Sequence, residues 1–217
     1  MTTATDTLAD AAKRFTADSA NHQLTIARDD GLYRHLRARQ PEHGWQYWFD
    51  IITWPGYLAF VGDGEGYIFT RVEDMFMFFR SNGNQYGINP GYWAEKLCDD
   101  SRPSRVKSYS EAKFREHVLE TVADAEEDYP GLTDAVKLRI FGDDNIDYDL
   151  AYEENAREAL NEFEYEGFRF TDTWEWDFQG WDWWFLWACH AIVWAIGQYD
   201  QIHARQSAEE TPEVTRG

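Results

Sequence analysis

The stretch GWQYWFDIITWPGYLAFVGDGEGYIFTR, residues 44–71, decides the fold. Pro55-Gly56 and the run Gly62-Asp63-Gly64-Glu65-Gly66 cut it into three segments rich in aromatic and β-branched residues, the composition that fits a pleated surface. The connections are too short to hold a helix, so the three strands must be antiparallel neighbours. The first segment, GWQYWFDIITW, is apolar on both faces and predicts a central strand covered on each side. GDGEG joins two strands, lacks the final GxxG spacing and opens no helix, so it is no dinucleotide fingerprint.

Towards the N-terminus the same period of two continues. HQLTIAR (22–28) sets Leu24 and Ile26 on one face, Asp30-Gly31 marks a tight turn, and LYRHLRARQ (32–40) reads as a half-exposed strand. Beyond Val72 the period changes. VEDMFMFFR groups Met75, Phe76 and Phe79 on a helical face. Ser108 with Glu111 matches a capping box opening a helix to about Glu127. Further helices are predicted at about 132–141 and 151–165, an extra strand at FRFTDT (168–173), and a last long helix from about Gly180 to Arg205. The class is therefore α+β: an N-terminal antiparallel meander of about five strands packed against a C-terminal helical portion with a long Trp-rich core helix. Residues 1–20 form an N-terminal segment, 21–206 a single domain (sheet 22–71, mainly helices 72–206), and 207–217 a disordered tail. The last helix is apolar around most of its circumference, which makes it either central or an interface. Central packing is the first expectation, a homodimer contact the alternative.

Composition narrows the function. Of 217 residues 40 are Asp or Glu and 20 Lys or Arg, a net charge of −20, and 17% are aromatic. Such a chain can build a core, yet it repels phosphate and anionic lipid, so neither direct nucleic-acid nor membrane-surface binding is expected. Trp183 to Gly197 would span roughly 22 Å as a helix, short of the roughly 30 Å bilayer core. With no signal-like start and only Cys98 and Cys189, a cytoplasmic protein without a disulfide scaffold is expected.

The acidic excess is uneven. Residues 141–217 hold 18 Asp or Glu against four Arg, and Asp143–Glu166 holds ten carboxylates against Arg157 alone. Glu154, Glu158 and Glu162 recur every four residues and share a helix face. With Asp143, Asp144 and Asp147 they form the candidate partner-binding surface. The bland counterpart is a solvated face. DDNIDYDLAYEE places Asp143, Asn145, Asp147 and Glu154 at positions of an EF-hand calcium loop, but Tyr148 stands where that loop needs Gly. Calcium is thus a weak candidate, and no other cofactor is implied. A second candidate is a ligand pocket of Asp50, Arg34 and His35, since Asp50 on an apolar strand must be paired or perturbed. A core role explains His190, and Trp174 with Trp176 could form an exposed platform. No nucleophile elbow, HExxH motif or short-range His pair is present.

The run HQLTIARDDGLYRHLR, then YWFDIITWPGYLAFVGDGEGYIFTRVEDMFMFFR, then INPGYWAEKL, resembles an uncharacterised family of bacteriophages, prophages and actinobacterial mobile elements, over about residues 22–98. The resemblance carries no activity and no site residues. It implies a small accessory protein of the kind that counters host defences, and an acidic one of that kind occupies nucleic-acid-binding grooves. The expectation is a non-enzymatic binder of a basic host protein, a defence or nucleic-acid-processing factor. An enzyme or ligand binder with a cleft beside the sheet is the alternative, and a calcium-stabilised interaction protein the third.

Overall fold

The computed structural model describes residues 4–42, 45–81, 87–98, 105–142 and 148–209. The chain divides into two compact units: Thr5–Val106 with Asp182–Gly217, and Lys107–Trp181 with Met1–Ala4. The expected span 21–206 is thus split, with the second unit inserted into the first in sequence.

The first unit is built on a five-stranded antiparallel meander in the order β1 (Gln23–Asp30), β2 (Tyr33–Arg39), β3 (Phe49–Trp54), β4 (Tyr57–Gly62) and β5 (Tyr67–Thr70). Gly31 and Gly56 take the left-handed backbone, φ +61° and +85°, that their tight turns require. One face of this sheet buries Leu36, Ala38, Phe49, Ile51, Leu58, Phe60, Tyr67 and Phe69. Helices α1 (Ala4–Asp18), α2 (Met75–Ser81) and α3 (Pro90–Ala94) belong to this unit. So does the long last helix, which is numbered α7 below and runs Trp183–Glu209. Asp182 caps α7 by accepting from the backbone N–H of Trp184 (2.9 Å) and Phe185 (3.0 Å).

The apolar circumference of α7 is spent inside. Trp187 packs edge-on to Phe49 (5.7 Å between centroids) and Phe15 of α1 (5.2 Å), while Phe185 meets Tyr67 at 5.3 Å. Each such buried aromatic contributes roughly 1.5–3 kcal/mol. The homodimer contact proposed for this helix therefore has little apolar surface left to use. Gly64 explains its own place: a Cβ there would lie 2.4 Å from the Trp184 ring, whose Nε1 donates to the Glu65 carbonyl at 2.8 Å. The GDGEG run is a seat for an indole.

One expectation fails in this unit. The central strand is not covered on each side. Strand β3 starts at Phe49, and its outward residues Ile52 and Trp54 stay half-exposed. An antiparallel sheet needs only one buried face, and the apolar outward residues do not prove a second layer.

The second unit opens and closes on a two-stranded ribbon absent from the sequence expectation, β6 (Lys107–Tyr109) with β7 (Gln179–Trp181). Between them lie α4 (Glu111–Ala125), α5 (Leu132–Arg139), α6 (Glu153–Glu162) and a short 3₁₀ turn, Thr173–Glu175. Their shared core includes Phe114, Val118, Val122, Leu132, Val136, Leu160 and Phe178. The capping residue of α4 is Ser110, accepting from Lys113 N–H at 3.3 Å, and not Ser108, which pairs with Gly180 in the ribbon. The extra strand expected at 168–173 is reduced to a single bridge, Tyr165 with Phe168. Among the described residues no helix is long and apolar enough to cross a membrane. Helix α7 runs through Glu209, three residues into the expected tail.

Candidate functional site

The inserted unit concentrates the charge. Residues 107–181 hold 21 Asp or Glu and seven Lys or Arg, a net −14 of the chain's −20. Helix α6 shows how local packing exposes it. Ala156, Ala159 and Leu160 are spaced to face the core and are buried. That leaves Glu154, Glu158 and Glu162 exposed on the other side, as their spacing predicts. Glu153 and Glu154 sit in the first turn, where the helix dipole favours negative charge.

Arg157, the lone cation of the acidic stretch, does not neutralise that face. It binds Glu153 one turn back (Nε–Oε1 3.0 Å) and then reaches inward. Its Nη1 donates to the Thr173 carbonyl at 2.7 Å and its Nη2 to that of Trp176 at 3.0 Å, with the guanidinium 4.8 Å over the Phe178 ring. Glu158 and Glu154 consequently have no ion pair among the described residues. Glu162 accepts from the Tyr148 hydroxyl.

A second stripe escaped the sequence reading. On α4, Glu116, Glu120 and Asp124 also recur every four residues and are exposed, opposite the buried Phe114, Val118 and Val122. The spacing was legible, but Lys113 and Arg115 in the first two turns of that helix masked it. Glu126 is different. Its carboxylate accepts from Gly131 N–H (2.7 Å) and from the Thr133 hydroxyl (2.7 Å) and N–H (2.8 Å), and the Thr133 hydroxyl above all holds it below the usual carboxylate range. It is a turn anchor.

Asp143, Asp144, Asn145 and Asp147 lie outside the described residues. Among the described residues, Glu154 included, no group of three or more His, Cys, Asp or Glu is placed to hold a metal ion. Trp174 is exposed, whereas Trp176 packs on His117 at 4.4 Å, so the two do not form a shared platform.

The alternative pocket is divided by the sheet. Alternation on β2 sends His35 and Arg37 to the outer face and Arg34 to the inner one. Asp50, only 6% exposed, accepts from Arg37 Nε (2.8 Å) and Nη2 (2.7 Å) and from His35 Nε2 (2.8 Å). Burial alone would raise its pKa, but these bonds, Arg37 first, hold it below the usual range. Arg34 instead grips Asp74 with both nitrogens, at 2.8 and 3.2 Å, beneath the Phe76 ring. A depression of about 590 Å³ beside Leu32, Arg71 and Met77, and one of about 610 Å³ beside His22 and Gln40, are lined by other residues. Cys98 and Cys189 are both free thiols.

No family model, no curated protein and no solved structure matches this chain.

Proposed function

We propose that the chain is a non-enzymatic binding protein whose helical unit, residues 107–181, docks a basic site on a partner protein. A defence or nucleic-acid-processing factor of the host is the partner class this reading favours, with the protein acting as a phage-type accessory inhibitor. The observation that carries the reading is the inward turn of Arg157. The lone cation of the 143–166 stretch is committed to Glu153 and to backbone carbonyls, so among the described residues Glu154, Glu158 and Glu162 have no ion pair. The α4 stripe of Glu116, Glu120 and Asp124 adds carboxylates on a second helix of the same unit. Such a surface acts by steering and complementarity.

The enzyme alternative has no comparable support. The acceptor atoms of Asp50 are engaged by Arg37 and His35, and Arg34 faces the other way.

The test is affinity capture from a host lysate at about 0.1 M and about 1 M salt, where the screening length falls from about 10 Å to about 3 Å. The bait is compared with a variant carrying E116Q, E120Q, D124N, E154Q, E158Q and E162Q. We expect one basic nucleic-acid-binding protein enriched at low salt, and lost both at high salt and with the neutralised variant, whose melting temperature is not lowered. Capture indifferent to salt and to neutralisation overturns the proposal.

A further inference from the structure

One indole of the helical unit stands in water: Trp174 is 75% exposed. The 3₁₀ turn that carries it, Thr173–Glu175, closes on a hydrogen bond from the Glu175 N–H to the Asp172 carbonyl at 2.9 Å. That turn is pinned to α6 twice. Arg157 donates to the Thr173 and Trp176 carbonyls, and the Thr173 hydroxyl donates to Asn161 Oδ1 at 3.2 Å. Arg157 and Asn161 each stand one residue before a glutamate of the stripe, Glu158 and Glu162. The row that holds the turn therefore adjoins the glutamate row, about 100° around the helix axis. A ring fixed in this way has little freedom left to lose when a partner arrives.

The chain itself shows what such a ring takes. Lys107 lies 5.1 Å over the Trp181 ring, Arg115 4.7 Å over Phe141 and Arg139 5.9 Å over Tyr165, and all three rings are half-buried. Trp174 is more exposed than any of them, yet it has no ring or cation partner among the described residues. The carboxylates on either side of it, Asp172 and Glu175, are exposed and have no ion pair among the described residues. The negative face of an indole between two carboxylates attracts a cation. Of the two cationic side chains, the planar guanidinium is the more weakly hydrated, stacks on an indole and meets a carboxylate with two parallel hydrogen bonds, whereas the lysine ammonium keeps its water.

We propose that Trp174 is the anchor of the partner contact: it receives an arginine of the basic partner on its ring face, with Asp172 and Glu175 as counter-ions. The proposal rests on the helical unit being a docking surface and adds the side chain that surface selects, arginine over lysine.

The test is calorimetric titration of the full chain at about 0.1 M salt with two end-blocked peptides of equal length and charge, four Gly-Arg repeats and four Gly-Lys repeats. The arginine peptide should bind about threefold more tightly or better, the scale of an exposed cation–π contact. Trp174→Ala should weaken the arginine peptide about threefold and leave the lysine peptide within about 1.5-fold. Its melting temperature should stay unchanged, because the ring is in water. Trp174→Phe keeps a ring and should lose less. The six-site neutralised variant should weaken both peptides and keep the preference for arginine. Equal affinity for the two peptides, a Trp174→Ala variant that weakens both alike or neither, or no binding of either peptide overturns the anchor. Equal affinities that both fall in the neutralised variant sink the indole and leave the acidic docking surface standing. An arginine preference that needs Trp174, beside lysate capture indifferent to salt and to neutralisation, sinks the stripes and leaves the indole.

Discussion

Arg157 satisfies two backbone carbonyls, and by doing so it leaves a helix face without its counter-ion. Its destination was not legible in the sequence, because the carbonyls belong to Thr173 and Trp176 across a turn whose shape depends on Asp172 at φ +54°. The pairing of Asp50 with an arginine was legible, since a carboxylate between Phe49 and Ile51 could not stay unpaired. Which arginine took it followed from register alone: Arg37, not Arg34, lies opposite Asp50. His190 gives a prediction at this scale. It is buried on α7, stacks on Phe15 at 5.9 Å, and its Nε2 has no hydrogen-bond partner among the described residues. Burial lowers its pKa from the ordinary 6.5 to about 4. The unfolded chain therefore takes up a proton below 6.5 that the folded chain refuses until about 4, so stability is full above that window and falls within it. Urea titrations from pH 7 to 4 should show a loss on the order of 2 kcal/mol from this group, allowing for partial hydration. His190→Leu should flatten the slope by that amount. Asp50 and Asp74, both held below the usual range, support the fold above their ordinary pKa and lose that contribution only at lower pH.

Among the elements, the five strands were readable because a period of two and the turn residues agree with the final pairing. The ribbon of β6 and β7 was not readable. Its strands are three residues each, and Ser108 finds its partner at Gly180, far along the chain. Missing that ribbon also displaced the start of α4 in the sequence reading, since Ser108 and Glu111 satisfy the capping-box spacing on paper. The structure separates the two serines energetically. Ser110→Ala removes the side-chain acceptor for Lys113 N–H and should destabilise the protein by about 1 kcal/mol. Ser108→Ala removes no cap and should stay within about 0.5 kcal/mol. Equal losses for the two variants in denaturant titrations would contradict this assignment. The α6 stripe was fully legible, because a spacing of four on a helix has one geometric meaning. The seat that Gly64 makes for Trp184 was invisible for the opposite reason: its partner belongs to the other end of the sequence.

For the molecule as a whole, charge is partitioned between the units. The inserted unit carries 21 acidic and seven basic residues, and most of its carboxylates have no cation to meet. Self-repulsion of that kind destabilises the compact state and is relieved by salt. The melting temperature in calorimetry should therefore rise by several degrees between about 0.01 and about 0.3 M sodium chloride, as the screening length contracts from about 30 Å to under 8 Å. The six-site neutralised variant should start higher and gain less. A flat or falling melting temperature would mean that ion pairs outweigh repulsion. The chain order of the two units has a consequence for synthesis. Strands β1–β5 end at Thr70, yet the helix that buries their aromatic face begins at Trp183. At about 5–20 residues per second, a ribosome needs roughly 6–22 s to make the intervening residues 71–182. Through that interval Phe49, Phe60 and Tyr67 wait without their lid, and a nascent chain paused there is a natural client for a holdase chaperone.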